Sequence, residues 1–199
     1  MDFPETLYNL IECFKKLPGV GEKTAQRYAL AMLDKDIEIV ENFSNSLIST
    51  KTKIKRCSMC NGYSEENICF ICSNEFRDKE TICIVCEPKN IYMIEKLKFY
   101  TGYYFVLNNL ISPLDGINPE DVNLENLLQL IEKQQFSEVI LALKPTIEGE
   151  TTSLYISKLL EGTNIRVTKL ANGIPIGIDM SYLDELTLST AFNNRNNVA

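Results

Sequence analysis

Six of the seven cysteines fall into three C-x-x-C pairs, Cys57/Cys60, Cys69/Cys72 and Cys83/Cys86. The chain has no histidine. That excludes Ser-His-Asp and Cys-His catalysis, a histidine general base and histidine-ligated zinc. Any metal centre must be built from thiolates, with or without a carboxylate. A closed tetrahedral zinc site takes four ligands, and the three pairs offer six. Cys57-x2-Cys60-x8-Cys69-x2-Cys72 has the spacing of such a site, each C-x-x-C presenting two sulfurs to one ion. The link "NGYSEENI" is long enough to turn back, and its Asn61-Gly62 suits a tight turn. Zinc, one per chain and structural rather than catalytic, is the default metal for this donor set. Free buried thiols, a redox pair and an iron–sulfur cluster are the competing readings. Residues 57–79 have too few apolar side chains for a core of their own. A module that short needs a staple, and zinc can supply about 10–16 kcal/mol of apparent binding free energy.

The third pair fails on geometry. "TICIVC" reads as a buried strand, in which successive side chains point to opposite faces. Cys83 and Cys86 are three apart and so face opposite ways. At about 3.3 Å rise per residue their Cα atoms lie roughly 10 Å apart. Thiolates sharing one zinc, each at about 2.3 Å, sit roughly 4 Å or less from each other. Both are expected to be small core side chains. The predicted ligands are therefore Cys57, Cys60, Cys69 and Cys72.

A second element with chemistry is "LPGVGEKTAQR". Gly19 and Gly21 make φ > 0 available at each and leave the backbone amides uncovered. A helix starting there offers free N–H groups and a positive dipole end, a seat for a phosphate. Lys23 and Arg27 stand i, i+4 on that helix and can reach one strand. This is the pattern of a helix-hairpin-helix, which grips the sugar-phosphate backbone without reading bases. The predicted DNA-binding residues are Gly19, Gly21, Lys23 and Arg27. A P-loop is excluded because Lys16 stands where its first glycine belongs and Glu22 follows Gly21. A dinucleotide fingerprint is excluded because Thr24 replaces its third glycine. The bland alternative is an ordinary helix–helix turn with solvated charges. Downstream, Lys51, Lys53, Lys55 and Arg56 either extend a DNA surface or are a solvated helix end.

These residues need elements to hold them. "ETLYNLIECFKKL" puts Leu7, Leu10, Ile11, Phe14 and Leu17 on one helical face. Pro18 and Gly19 stop it. "EKTAQRYALAMLDK" predicts a second helix with Ala25, Tyr28, Ala29, Met32 and Leu33 inward. "EIVENFSNSLISTKTKI" predicts a third, with Ile39, Phe43, Leu47 and Ile48 in register. From Glu80 the texture changes. Short apolar runs "ICIVC", "YYFVL", "VILAL" and "IRVTKL" alternate with helical "KNIYMIEKLK", "LENLLQLIEKQ" and "TTSLYISKLL". That β-α order predicts a parallel sheet flanked by helices. Asn172 to Ile178 reads as a loop and a short extended segment, "YLDELTLSTAF" as a helix, and the Asn-rich tail as frayed.

The 199 residues and 45% apolar content are globular. No secretory signal and no membrane-length apolar run is visible, so a soluble cytosolic protein is expected. The net charge of −7 is uneven, +1 over residues 1–56 and −8 over 57–199. A surface for a polyanion is therefore expected at the N-terminal end.

Taken together the chain resembles the RecR family of bacterial recombination mediators, over nearly its whole length. The supporting stretches are "LPGVGEKTAQR", the cysteine set ending in "CFICSNEFRD", "YYFVL" followed by "SPLDGINPEDV", "KPTIEGETT" and "GIPIGIDMSYLDELTLSTAF". The resemblance implies a multi-domain α plus α/β fold. Its parts are a helix-hairpin-helix domain (1–56), a four-cysteine zinc-finger module (57–79), a Toprim domain (80–172) and a C-terminal segment (173–199) of loop plus helix making a subunit contact. It implies a homodimer or ring-like tetramer that clamps DNA in the bacterial nucleoid-associated cytoplasm. It also implies RecO and RecF as partners, and help in loading RecA on gapped DNA coated by SSB.

Catalytic Toprim domains need a glutamate after the first strand and an Asp-x-Asp after a later one, to hold Mg2+. By the resemblance the glutamate position falls on Cys86. Glu87 is next door, but a one-residue shift turns it to the other face. Glu148 and Glu150 flank Gly149 after "VILAL", and Lys144 stands where the family usually has asparagine. Further departures are Leu110 for a usual histidine, Asn172 for a usual arginine, and Ile178 and Ser181 in "GIDMSY". The expectation is a non-enzymatic DNA-binding adaptor, with weak Mg2+ binding or a partner contact at Glu148 and Glu150. The alternative is a Mg2+-dependent Toprim nuclease or primase. Two cations on one hairpin grip DNA weakly, which is an independent reason to expect self-assembly.

Overall fold

The computed structural model describes residues 3–195, so the end of the Asn-rich tail lies outside the described residues. The chain divides between Ile54 and Lys55 into two compact units. The first holds α1 (Glu5–Lys15), α2 (Glu22–Leu33) and α3 (Ile37–Lys53). Ile11 of α1 and Ala25 and Ala29 of α2 are buried together, with Leu7, Leu10, Phe14 and Val20 packed around them. The two alanines let the helices approach closely, and Phe14 meets Tyr28 edge-on with ring centroids 5.7 Å apart.

Three expectations fail in this unit. Leu17, Tyr28 and Leu33 are exposed rather than inward. All of α3 is unburied, and its Ile39, Phe43, Leu47 and Ile48 face away from any core of the described residues. Of the two glycines only Gly19 uses φ > 0, at +76°; Gly21 sits at φ −83°, open to any residue. The physical reason for the α3 discrepancy is general. A 3.6-residue period reports that a helix has an apolar face, not what covers it.

The second unit begins with a short antiparallel ribbon, β1 (Lys55–Arg56) against β2 (Tyr63–Ser64). Then follow β3 (Thr81–Val85), α4 (Pro88–Glu95), β4 (Tyr103–Val106), α5 (Leu124–Gln134), β5 (Glu138–Ala142), α6 (Ile147–Leu159), β6 (Arg166–Lys169) and α7 (Glu185–Asn193). The four longer strands form one sheet in the order β4-β3-β5-β6, every pair parallel, as the alternating β-α texture requires. Helices α5 and α6 pack Leu124, Leu127, Leu130, Ile131 and Ile156 into the core of that sheet. Two details depart from the sequence reading. Helix α6 starts at Ile147, so Glu148 and Glu150 stand in its first turn. Residues 172–178 form no strand.

The four-cysteine segment has no core of its own. Cys57, Cys60, Cys69 and Cys72 belong to the same buried cluster as the sheet. The Val106 N–H at the outer edge of β4 donates to the Cys60 carbonyl at 2.9 Å. The Asn61 side-chain amide donates back to the Val106 carbonyl at 2.9 Å. The module thus covers a sheet edge that would otherwise present unpaired backbone groups. A network centred on Arg77 ties the segment after the module to α4 and β4. Its guanidinium binds both carboxylate oxygens of Glu95, at 2.8 and 3.2 Å. It also donates twice to the Gly102 carbonyl, at 2.9 and 2.6 Å. The Tyr104 hydroxyl donates to Glu95 at 2.7 Å.

Candidate functional site

The four predicted thiols converge. Their sulfur atoms all lie within 4.8 Å of one another, and all four residues are buried. Cys60 and Cys69 are 3.6 Å apart, sulfur to sulfur, close to the roughly 3.8 Å edge of a tetrahedron with a 2.3 Å Zn–S bond. Each pair sits in a turn that shapes it. Asn61 N–H donates to the Cys57 carbonyl at 2.9 Å, and Ser73 N–H to the Cys69 carbonyl at 3.0 Å. Asn61 adopts the left-handed conformation, φ +60°, which its short polar side chain tolerates. Gly62 sits in a tight place, because a Cβ would press on Ile91 at 3.1 Å and on the Cys60 sulfur at 3.2 Å. Backbone amides point at the sulfurs, Cys69 N–H to Cys57 at 3.3 Å and Gly62 N–H to Cys60 at 3.4 Å. Such donors stabilise thiolates.

Within the set, hydrogen bonds from Cys60, then Cys69 and Cys72, hold the Cys57 thiol far below the usual range. Hydrogen bonding to Cys57, then to Cys60 and Cys69, pushes Cys72 far above it. The thiols are strongly coupled, and a divalent cation is what lets all four ionise together. The set is a structural zinc site. Among the described residues it is the one convergent group of three or more metal-binding side chains. Cys83 and Cys86 stay outside it. Both are buried, and burial pushes the Cys83 thiol up to about 12.

The hairpin residues lie in the other unit. Gly19 occupies the turn and Gly21 is the residue preceding α2, without a side-chain cap. A Cβ at Gly21 would meet nothing within 4 Å. Lys23 and Arg27 are exposed on one helix face, and Arg27 lies 5.6 Å from the centre of the Tyr28 ring. Glu22, in the first turn of α2, is bound by Lys15 at 2.8 Å and accepts from Gln26 at 2.9 Å. The basic run downstream is divided: Lys51 and Lys53 end α3, while Lys55 and Arg56 form β1.

Two carboxylates near the carboxyl ends of the strands, Glu87 and Glu150, are paired with lysines. Glu87 has both oxygens taken, one by Lys144 at 2.6 Å and one by Lys89 at 2.6 Å. Hydrogen bonds from Lys144 and then Lys89 hold its carboxyl down at about 2. It therefore stays ionised, but its charge is already neutralised. Glu150 has both oxygens on Lys169, at 2.8 and 3.1 Å. Glu148 and Glu150 are two apart in a helical turn, so their side chains diverge and cannot share one ion. Gly149 between them is sterically required, since a Cβ there would collide with the Lys144 backbone carbonyl. Cys86, buried immediately after β3, supplies no carboxylate. Adding millimolar Mg2+ is accordingly expected to leave the unfolding temperature unchanged, with no saturable Mn2+ binding by electron paramagnetic resonance. Saturable Mn2+ binding lost in Glu87→Gln would contradict this.

The sequence reading missed Arg77, Glu95, Tyr104 and the lysines on Glu87 and Glu150. It also missed Thr152, fully buried, whose hydroxyl accepts from Ile111 N–H at 2.8 Å and donates to the Glu148 carbonyl at 2.7 Å. Polar residues of this kind carry no signature until their partners are known.

Four family models match consecutive parts of the chain. They are the RecR helix-hairpin-helix over residues 7–50, the RecR four-cysteine zinc finger domain over 54–74, the Toprim domain over 80–171 and the RecR C-terminal region over 173–196.

Proposed function

The chain belongs to the RecR family, whose domains support a role in recombination repair, and we propose that it is a non-enzymatic, DNA-binding recombination mediator. The observation that carries the DNA-binding part is the hairpin. Gly21 is demanded neither by its φ nor by any neighbour. A bare position at the start of a helix with no side-chain cap and two exposed cations suits the close approach of a phosphate. Gly19, Gly21, Lys23 and Arg27 are the proposed contacts. Family membership supports RecO and RecF as partners and the loading of RecA on SSB-coated gapped DNA. The division of labour follows the segments 1–56, 57–79, 80–172 and 173–199.

Absence of catalysis is part of the proposal. Cys86 stands where the first carboxylate is needed, and lysines hold Glu87 and Glu150. Glu148 is proposed to face a protein partner. Self-assembly is supported by two unpartnered apolar surfaces, α3 and the C-terminal segment, where Ile176, Tyr182 and Leu186 are exposed. Among the described residues no helix is long and apolar enough to cross a membrane.

Two measurements test the proposal. Lys23→Ala/Arg27→Ala is expected to weaken duplex binding and to make the plot of log affinity against log salt shallower by about 1.8, at about 0.9 per phosphate. Gly21→Ala should lower the unfolding temperature only slightly, as expected for alanine at a helix N-cap, and still weaken binding. Unaltered DNA retention in the double variant would sink the DNA-binding reading. Mg2+-dependent cleavage of end-labelled DNA, lost on Glu150→Ala, would replace the mediator with a Toprim nuclease.

A further inference from the structure

A groove of about 460 Å3 runs between the zinc module and α5. From residue 57 onward the chain carries a net charge of −8, yet the lining of this groove contains two cations and no carboxylate. The cations are Arg56 on β1 and Lys133 on α5. The ion pairs of this unit run to Arg77, Lys89, Lys144, Arg166 and Lys169, which leaves Arg56 and Lys133 without a carboxylate among the described residues. Side-chain amides line it as well. Asn126 and Gln129 continue the α5 stripe that ends in Lys133, at the i, i+3, i+7 spacing of one helix face. Gln134 adds another, and Asn61, whose N–H2 is held by the Val106 carbonyl, offers its oxygen. Met59, Ile68 and Leu130 supply an apolar side. Arg56 lies over the Tyr63 ring, 4.9 Å from its centre, and Tyr63 is itself exposed.

We infer that this groove binds single-stranded nucleic acid, with an unstacked base on the apolar side, the amides at its edge, and Arg56 and Lys133 on the flanking phosphates. Each part of the lining matches one part of a nucleotide. Amides both donate and accept, as base edges do. Two cations without carboxylate partners suit phosphates, and an exposed aromatic beside an arginine extends a stacking platform. The volume lies in the range of small-ligand sites, about 300–1,000 Å3. A duplex does not fit this description, because its base faces are hidden in the stack. The hairpin would then hold backbone of either form while this groove selects the single strand. The inference rests on the DNA-binding reading above and deepens it.

The test uses the full chain, with fluorescence anisotropy on a short labelled oligothymidylate and on a labelled duplex. Arg56→Ala/Lys133→Ala is expected to weaken the oligothymidylate alone. Its salt slope should fall by about 1.4, at about 0.7 per single-strand phosphate. Because Arg56 also donates to the Asn61 carbonyl at 3.1 Å, a second variant, Gln129→Glu/Lys133→Glu, changes only exposed α5 side chains and should act the same way at unchanged zinc content. Lys23→Ala/Arg27→Ala should weaken both ligands. If the groove variants bind the oligothymidylate like the parent while the hairpin variant loses it, the groove inference is overturned and the DNA-binding reading stands. If no variant loses either ligand, both fall. Binding of an acidic peptide, with loss in the groove variants and no change for the oligothymidylate, assigns the groove to a protein partner and also overturns the inference.

Discussion

Cys69→Ser is expected to abolish zinc binding and to unfold the cysteine module, whereas Cys83→Ser should retain one zinc per chain. Removing one thiolate from a closed site forfeits a large share of the roughly 10–16 kcal/mol that structural zinc supplies. The damage should spread beyond the module. Its four cysteines share a core with the sheet, and Cys60 and Asn61 cover the outer edge of β4. Cys83 is also buried, so its serine variant should lose about 1–3 kcal/mol through a desolvated hydroxyl, without touching the metal. Zinc content by mass spectrometry separates the two, with thermal unfolding by circular dichroism as the second readout. Loss of zinc in Cys83→Ser and retention in Cys69→Ser would reverse the assignment. Because all four thiols must ionise to hold the metal, zinc should be released as pH falls.

Arg77→Ala should destabilise the second unit by about 3 kcal/mol, the lower end of what breaking a buried ion pair costs. Only 9% of the Arg77 side chain is exposed, whereas Glu95 keeps 28%, and that residual solvent sets the lower end. The substitution strands the Glu95 carboxylate, leaves the Gly102 carbonyl without its two donors, and removes a cation 5.5 Å from the centre of the Tyr104 ring. Lysine should not rescue it, since a point charge cannot make the two-pronged contact. Glu95→Gln in the Arg77→Ala background should recover part of the loss. The control is Arg166→Ala at the Arg166–Glu138 pair, whose arginine is 72% exposed, expected to cost about 0–1 kcal/mol. Urea unfolding measures all of these, and equal losses at the two arginines would refute the distinction.

The same network has a pH signature. Burial pushes the Glu95 carboxyl up, but bonds from Arg77 and Tyr104 outweigh it and leave it below its ordinary 4.5. A depressed carboxyl contributes stability that is fully present above the unfolded value and lost as pH falls through the folded one. The parent should therefore lose stability below about pH 4.5 more steeply than Arg77→Ala does.

Much of this was legible in the chain. Cys57, Cys60, Cys69 and Cys72 were identified by spacing, because a knuckle is made by residues three apart. The Gly19-Val20-Gly21 turn and the sequence of strands and helices were likewise readable, because turn chemistry and hydrophobic period act over a few residues. Even the exclusion of Cys83 followed from the two-residue period of a strand. What needed the tertiary structure was every partnership across a long separation. Arg77 meets Glu95 and Gly102; Glu87 meets Lys144; Glu150 meets Lys169; Arg56 and Lys133 border one groove. A charged residue in sequence has a sign but no neighbour, and at hydrogen-bond range the neighbour decides whether a carboxylate is free for a metal or already neutralised. The sequence alone therefore determined the local units, and chain packing alone decided which of their charges remained available.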